Sequence, residues 1–282
     1  MVGKRAATRS VRVLRYRDGA SVRAKDDVAV EEPLEIRVSW VSADGRRRTE
    51  AVAITMRTPG DDFELVAGFL YGEGLVSGSE ALHELTYCRG GEDPQRYNVV
   101  EARLREGVSF DAERLRRNFY TSSSCGVCGK ASLEAVEVQG CQLLEDGFRV
   151  PSSLLGTLPD LLRAGQGGFE RTGGLHAAGL FDARGRCGVC REDVGRHNAV
   201  DKALGHLLLK RGLPATDQVL VVSGRASFEI VQKAAMAGVP VVVAVGAPSS
   251  LSVELATRFR VTLVGFARGR GFNVYSVPER IA

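Results

Sequence analysis

Between Val28 and Thr55 the apolar positions alternate, with Leu34, Ile36 and Val38 in one run and Val52 and Ile54 in the next, separated by Asp44-Gly45. A period of two with a turn pair in the gap predicts a β-hairpin. Thr58-Pro59-Gly60-Asp61 then reads as a turn and helix start. Phe63, Val66, Ala67 and Leu70 fall on one helical face until Gly72 and Gly74 end it. Farther on, two short β-branched runs, Val219 to Val222 and Val239 to Val245, each precede a helical stretch, Ser227 to Ala237 and Ser249 to Phe259. A strand over Val261 to Phe266 closes the series. Such a β-α-β-α-β order predicts parallel strands joined by right-handed crossovers, with helices covering the sheet.

In open α/β sheets ligands bind beyond the carboxyl ends of the strands. The loops that emerge there are Ser223-Gly224-Arg225-Ala226-Ser227, Gly246-Ala247-Pro248-Ser249 and Ala267-Arg268-Gly269-Arg270-Gly271. All three carry glycine with hydroxyl or arginine side chains. The first two run into helix starts, whose N–H groups suit phosphate, so together they form a candidate nucleotide-phosphate cradle. Each alone is weak, because Ser and Gly are ordinary cap and turn residues.

The rest of the chain is less regular. Residues 1–26 are basic without sustained periodicity and read as a tail or irregular edge segment; Lys130 to Val138 reads as helix. Asn118 to Gly129 is crowded with serine and glycine and reads as an exposed, flexible loop around Cys125-Gly126-Val127-Cys128. A C-x-x-C pair at a helix start, near Lys130, favours thiolate at Cys125. A thiolate there can exchange disulfides, bind metal or accept a sulfane sulfur. The long Ser/Gly setting favours a carrier over a thioredoxin-type redox pair. A four-cysteine zinc site would need Cys187-Gly188-Val189-Cys190, 59 residues beyond Cys128, against a usual ribbon spacing of about 15–20. Cys187 and Cys190 read as small apolar residues in a strand, as do Cys88 and Cys141. Gly174-Leu175-His176-Ala177-Ala178 followed by Cys187-x-x-Cys190 faintly echoes zinc deaminases, but Ala178 stands where the catalytic glutamate is needed.

The 282 residues, 44% hydrophobic and 26% charged, suit a globular protein with one large α/β domain or two lobes. The net charge is +4, with arginines grouped at Arg46 to Arg48, Arg114 to Arg117 and Arg268 to Arg270. The first two groups read as solvated faces; the third lies in a candidate ligand loop. No signal region or membrane-length apolar run is evident, and six cysteines in this length do not form a secreted disulfide framework. A cytoplasmic protein with no membrane partner is expected.

Several stretches in one order resemble the FdhD family of formate dehydrogenase accessory sulfurtransferases. They are Val30 to Ile36, Met56 to Asp62, Gly68 to Gly74, Ser123 to Gly129, Gly173 to Ala178, Arg191 to Lys202, Ser223 to Ser227 and Phe266 to Tyr275. The resemblance implies a cytidine-deaminase-like three-layer α/β/α sandwich with a smaller N-terminal α+β lobe, in a homodimer. Residues 27–140 would form that lobe, ending in the cysteine loop, and 141–282 the C-terminal α/β lobe. It further implies that Cys125 carries a persulfide received from a cysteine desulfurase, with Cys128 a secondary thiol. The acceptor is molybdenum bound by two molybdopterin guanine dinucleotides, a substrate awaiting insertion into formate dehydrogenase. Its binding stretch corresponds to Phe266, Ala267, Arg268, Gly269, Arg270 and Gly271; Ser223, Gly224 and Arg225 are added by inference as guanine and phosphate contacts. No resident metal and no nucleic-acid partner are expected. Cys187 and Cys190 depart from the family's pattern, which has an apolar strand there. The block from Arg191 to Lys202 reads equally as a buried polar network or a site wall. A zinc-dependent hydrolase or deaminase and a non-catalytic molybdenum-cofactor chaperone are the competing functions.

Overall fold

The computed structural model describes residues 6–88, 97–110, 141, 143–145 and 147–282; Cys125, Cys128 and the helix expected over Lys130 to Val138 lie outside them. The segment read as an irregular tail forms a hairpin instead, β1 (Thr8–Arg17) and β2 (Ala20–Ala29), paired in register throughout. Asp18 and Gly19, both at positive φ, make its turn. Arginine had masked the alternation of Val11 and Val13 on one face with Leu14 and Tyr16 on the other.

The expected hairpin is β3 (Glu32–Val41) with β4 (Arg47–Arg57). One extra residue at Val52 breaks the alternation, since Ile36 pairs with Ala53 and Arg37 with Ala51. Val52 is consequently buried while Ile54 is 70% exposed, so the two do not share a face as the pattern predicted. Helix α1 (Asp62–Gly72) follows, then β5 (Leu82–Tyr87) and β6 (Val99–Leu104), giving a sheet of order β4-β3-β6-β5. Leu34, Ile36, Val38, Val100 and Ala102 bury one face against Leu65, Val66 and Leu70 of α1.

After the short helices α2 (Ser152–Leu155), α3 (Leu158–Ala164) and α4 (Gly167–Thr172) comes a six-stranded sheet. Its elements are β7 (His176–Phe181), β8 (Cys187–Asp193), α5 (Arg196–Leu209), β9 (Val219–Val222), α6 (Phe228–Met236), β10 (Val241–Ala244), α7 (Ser250–Arg258), β11 (Thr262–Arg268) and β12 (Gly271–Ser276). Strand order is β12-β11-β10-β9-β7-β8, with β9, β10 and β11 parallel as expected. Leu180, Val222, Val242 and Leu263 pack toward α5, α6 and α7, while Phe181, Val219, Val221 and Val243 pack toward α2 and α3. Burial on both faces explains why these strands are unbroken apolar runs. The three-layer α/β/α arrangement is therefore the observed one.

α1 lies against α5 and joins the two sheets. A Cβ on Gly68 would sit 1.9 Å from the Asp201 carbonyl oxygen, and one on Gly205 1.8 Å from that of Glu64. Only glycine admits this reciprocal backbone contact.

Candidate functional site

The carboxyl ends of β9, β10 and β11, the start of β7 and the end of β8 share one edge of the large sheet. Backbone bonds stitch the loops there. Ser223 N–H donates to the Ala177 carbonyl, Ala226 to Ala247, Gly246 to Gly224 and Phe266 to Gly246. Gly246 must be small, since a Cβ would lie 3.1 Å from the Gly224 carbonyl oxygen. The Ser223 hydroxyl accepts the Ala177 N–H at 2.8 Å, which extends the β7–β9 ladder and fixes the side chain while its O–H remains a donor.

The helix starts at this edge differ from expectation. α7 is closed by a capping box in which Ser249 and Ser252 satisfy each other's backbone, so its first turn is not an open phosphate seat. α5 has Gly195 at its cap with no side-chain cap, no acid in its first turn, and Arg196 and His197 as its first two residues. Cations at the positive end of a helix dipole are disfavoured, and they raise the local positive potential. Arg196 Nε is buried with no hydrogen-bond partner among the described residues. His197 Nε2 lies 3.0 Å from the Ser227 hydroxyl and 3.7 Å from Glu229. Burial, then the Arg196 charge, push His197 down to about 4 and also lower His176, so both imidazoles are neutral at pH 7. Gly224 sits between His176 and Arg196, its notional Cβ 3.4 Å from His176 Nδ1 and 3.8 Å from Arg196 Cδ. Burial alone would raise Glu229, but its own N–H, the Ser227 hydroxyl and the two basic neighbours hold it below the ordinary carboxylate range.

The third loop divides. Phe266 is 46% exposed at φ 54°, a left-handed conformation that an aromatic residue seldom adopts. Ala267 is wholly buried in the core under α3 and offers no side chain to a ligand. Arg268 and Arg270 are exposed around Gly269 at φ 58°, whose carbonyl lies against Gly156 at the end of α2, across the sheet from α5. Arg225 is exposed beside Gly246. Phe266, Gly224, Arg225 and the fixed Ser223 hydroxyl thus meet at the edge, while the Ala267 side chain serves the core.

The second cysteine pair lies elsewhere. His176 pairs with Asp193 at the edge, but Cys190 pairs with Gly179, three positions along, about 10 Å by strand rise. The deaminase-like residues are therefore not assembled. A bulge at Gly188 on this edge strand leaves Cys187 exposed, contrary to its reading as a buried small residue. Cys190 is half-buried, and burial pushes it up to about 11.

The block from Arg191 to Lys202 divides between the interior and the edge. Asp193 accepts from Thr58 N–H at 3.1 Å, Gly195 N–H at 2.8 Å, Asn198 Nδ2 at 3.0 Å and Lys202 Nζ at 2.7 Å. Those residues form a buried network, whereas Arg196 and His197 wall the edge. The density of polar residues signals the block, and the uncapped Gly195 before Arg196-His197 marks the half that faces the edge.

The sequence model of the FdhD/NarQ family matches residues 29–282. A sulfur carrier protein FdhD from Streptomyces avermitilis is 51% identical over 275 residues, covering 96% of this chain and 94% of that one. A protein of the same name from Sulfolobus acidocaldarius is 42% identical, covering 97% and 98%. The crystal structure of a Desulfotalea psychrophila protein assigned as a formate dehydrogenase accessory protein superposes with a TM-score of 0.75 at 27% identity, covering 98% of this chain and all of that one. With the match running from the end of β2 to the last residue, the chain belongs to the FdhD/NarQ family.

Proposed function

We propose that the chain is a sulfur carrier that takes a sulfane sulfur from a cysteine desulfurase onto Cys125 and passes it to a molybdenum cofactor before insertion into formate dehydrogenase. The Cys125 thiolate attacks the terminal sulfur of the desulfurase persulfide. The donor's S–S bond breaks, the donor leaves as thiolate, and the proton stays on the transferred sulfur, giving Cys125-S-SH. The acceptor is molybdenum carried by two molybdopterin guanine dinucleotides, bound as substrate. Its phosphates suit the α5 start, where Arg196 and the unused helix N–H groups face the edge; this unbalanced positive charge is the observation that carries the reading. Arg225 adds charge there, and the exposed Phe266 ring offers a face to a planar base, while Arg268 and Arg270 stand exposed on the α2 side of the same loop. Names carried by the relatives point the same way.

The test is to incubate the protein with a cysteine desulfurase and sulfur-labelled cysteine, then map the label by mass spectrometry. Label is expected as a persulfide on Cys125 and none on Cys125→Ala. An unlabelled Cys125, together with full support of formate dehydrogenase by Cys125→Ala, would overturn the reading in favour of a non-catalytic cofactor chaperone.

A further inference from the structure

We infer that the β1–β2 hairpin is a docking arm for an acidic, partly apolar surface on the protein that receives the cofactor. The identity of that recipient rests on the function proposed above; the arm's chemistry does not. The ribbon precedes the family-matched region almost entirely. Six cations stand against three carboxylates from Thr8 to Ala29, so most of the chain's net +4 lies on it.

Cross-strand register places Arg12 opposite Lys25 and Leu14 opposite Arg23, which puts three cations side by side on one face. Like charges directly opposite destabilise a pair of strands, and among the described residues none of the three has an ion-pair partner. The ribbon's other face, by contrast, holds an Arg15–Asp26 pair at 3.9 Å. Between the cations Leu14 is 53% exposed and Tyr16 68% exposed. Cations alone could serve to keep a free strand edge from aggregating, but that role does not require large apolar side chains held out in water among them. Arg, Tyr and an aliphatic neighbour on one face have the composition of a protein-binding hot spot. An isolated two-stranded ribbon is only marginally stable in water, and a partner surface that neutralises the cations and covers Leu14 and Tyr16 removes both deficits.

Position selects the partner. The base of the ribbon is anchored by Val30 N–H donating to the Ala7 carbonyl and by Ala29 lying 3.6 Å from the notional Cβ of Gly174, two residues before His176. A protein gripping the arm is therefore brought to the β7 end of the candidate edge. Under the proposed function, the macromolecule that must reach this edge is the one that takes the cofactor away, the formate dehydrogenase apoprotein.

The experiment titrates the full-length protein with purified cofactor-free formate dehydrogenase from the same organism. Arg12→Glu/Arg23→Glu/Lys25→Glu is expected to lower affinity about tenfold or more and to flatten its dependence on salt. Leu14→Ser/Tyr16→Ser should weaken binding with the salt dependence retained. The milder Arg12→Ser/Lys25→Ser guards against a melted ribbon, and amide exchange should show residues 10–25 protected in the wild-type complex. Persulfide loading of Cys125 should be the same in all variants as in the wild type; a wild type that itself never loads counts against the proposed function and leaves the arm intact. Unchanged apoprotein affinity would overturn the inference. So would a loss confined to desulfurase binding, to duplex DNA binding or to association of two copies of this chain.

Discussion

The seam between α1 and α5 and the carboxyl edge of the large sheet are both crowded with charge, but they treat it differently. At the seam each charge is met. Arg191 grips Glu64 through Nε and Nη2, His206 shares that carboxylate at 2.9 Å, Lys233 stands 2.7 Å from Asp201, and Lys202 reaches Asp193 and the Thr58 carbonyl. At the edge Arg196 and the exposed Arg225 stand against one exposed carboxylate, Glu229, beside the neutral imidazoles of His176 and His197. A single helix serves both regions, its first turn at the edge and its later turns in the seam. Polar density alone therefore does not separate the two regions; an excess of one charge at an uncapped helix start does.

The comparison breaks most sharply at Lys202. Replacing it with methionine keeps much of its length but leaves the wholly buried Asp193 without its cation. Removing one partner of a buried pair costs about 3–5 kcal/mol, so urea unfolding of Lys202→Met should show a loss of that order. A loss below about 1 kcal/mol would place Lys202 with the weak surface pairs. Gly205→Ala comes next. Its new Cβ would meet the backbone of Glu64 and must push the helices apart, an overpacking cost of about 1–3 kcal/mol. Because Gly205 lies in the seam and not at the edge, the folded variant should bind GDP, a probe for the cofactor's guanine nucleotide end, as the wild type does. A drop in GDP affinity at unchanged stability would show that seam and edge are not separable.

How much of this was legible without coordinates follows from where the partners sit. The β-α-β-α-β half was readable because its strands and helices alternate locally and are apolar on schedule, and with it the edge where its loops emerge. The division of the Arg191 to Lys202 block was not, because besides the nearby Asp193 the partners of Lys202 and Asn198 include the carbonyls of Thr58 and Met56, more than 140 residues earlier. The neighbourhood of Ser223 and Ala267 points to a ligand but does not show what else each side chain does. The hydrogen bond that ties Ser223 to Ala177 and the burial of the Ala267 methyl are set by partners far along the chain. The β1–β2 ribbon was missed for the opposite reason: its alternation is local, but arginines occupy positions that an ordinary strand gives to apolar residues.

The smallest expected effect tests the edge most directly. Burial is the first cause of the lowered His197 and His176 values and the Arg196 charge the second, so Arg196→Ala should leave part of each shift and remove part. By imidazole NMR, His197 should titrate from about 4 in the wild type toward its ordinary 6.5 in the variant, with His176 following. The consequence for stability has a definite sign. With the folded value depressed, the unfolded chain binds a proton that the folded chain refuses between 6.5 and about 4, so wild-type stability falls as pH drops through that window, and Arg196→Ala should fall less. At pH 7 His197 is neutral in both proteins, so any loss of GDP affinity in the variant measured there reports the guanidinium alone. Unmoved histidine midpoints would mean that the guanidinium's field does not reach the imidazoles, and the excess of positive charge that sets the edge apart from the seam would be gone.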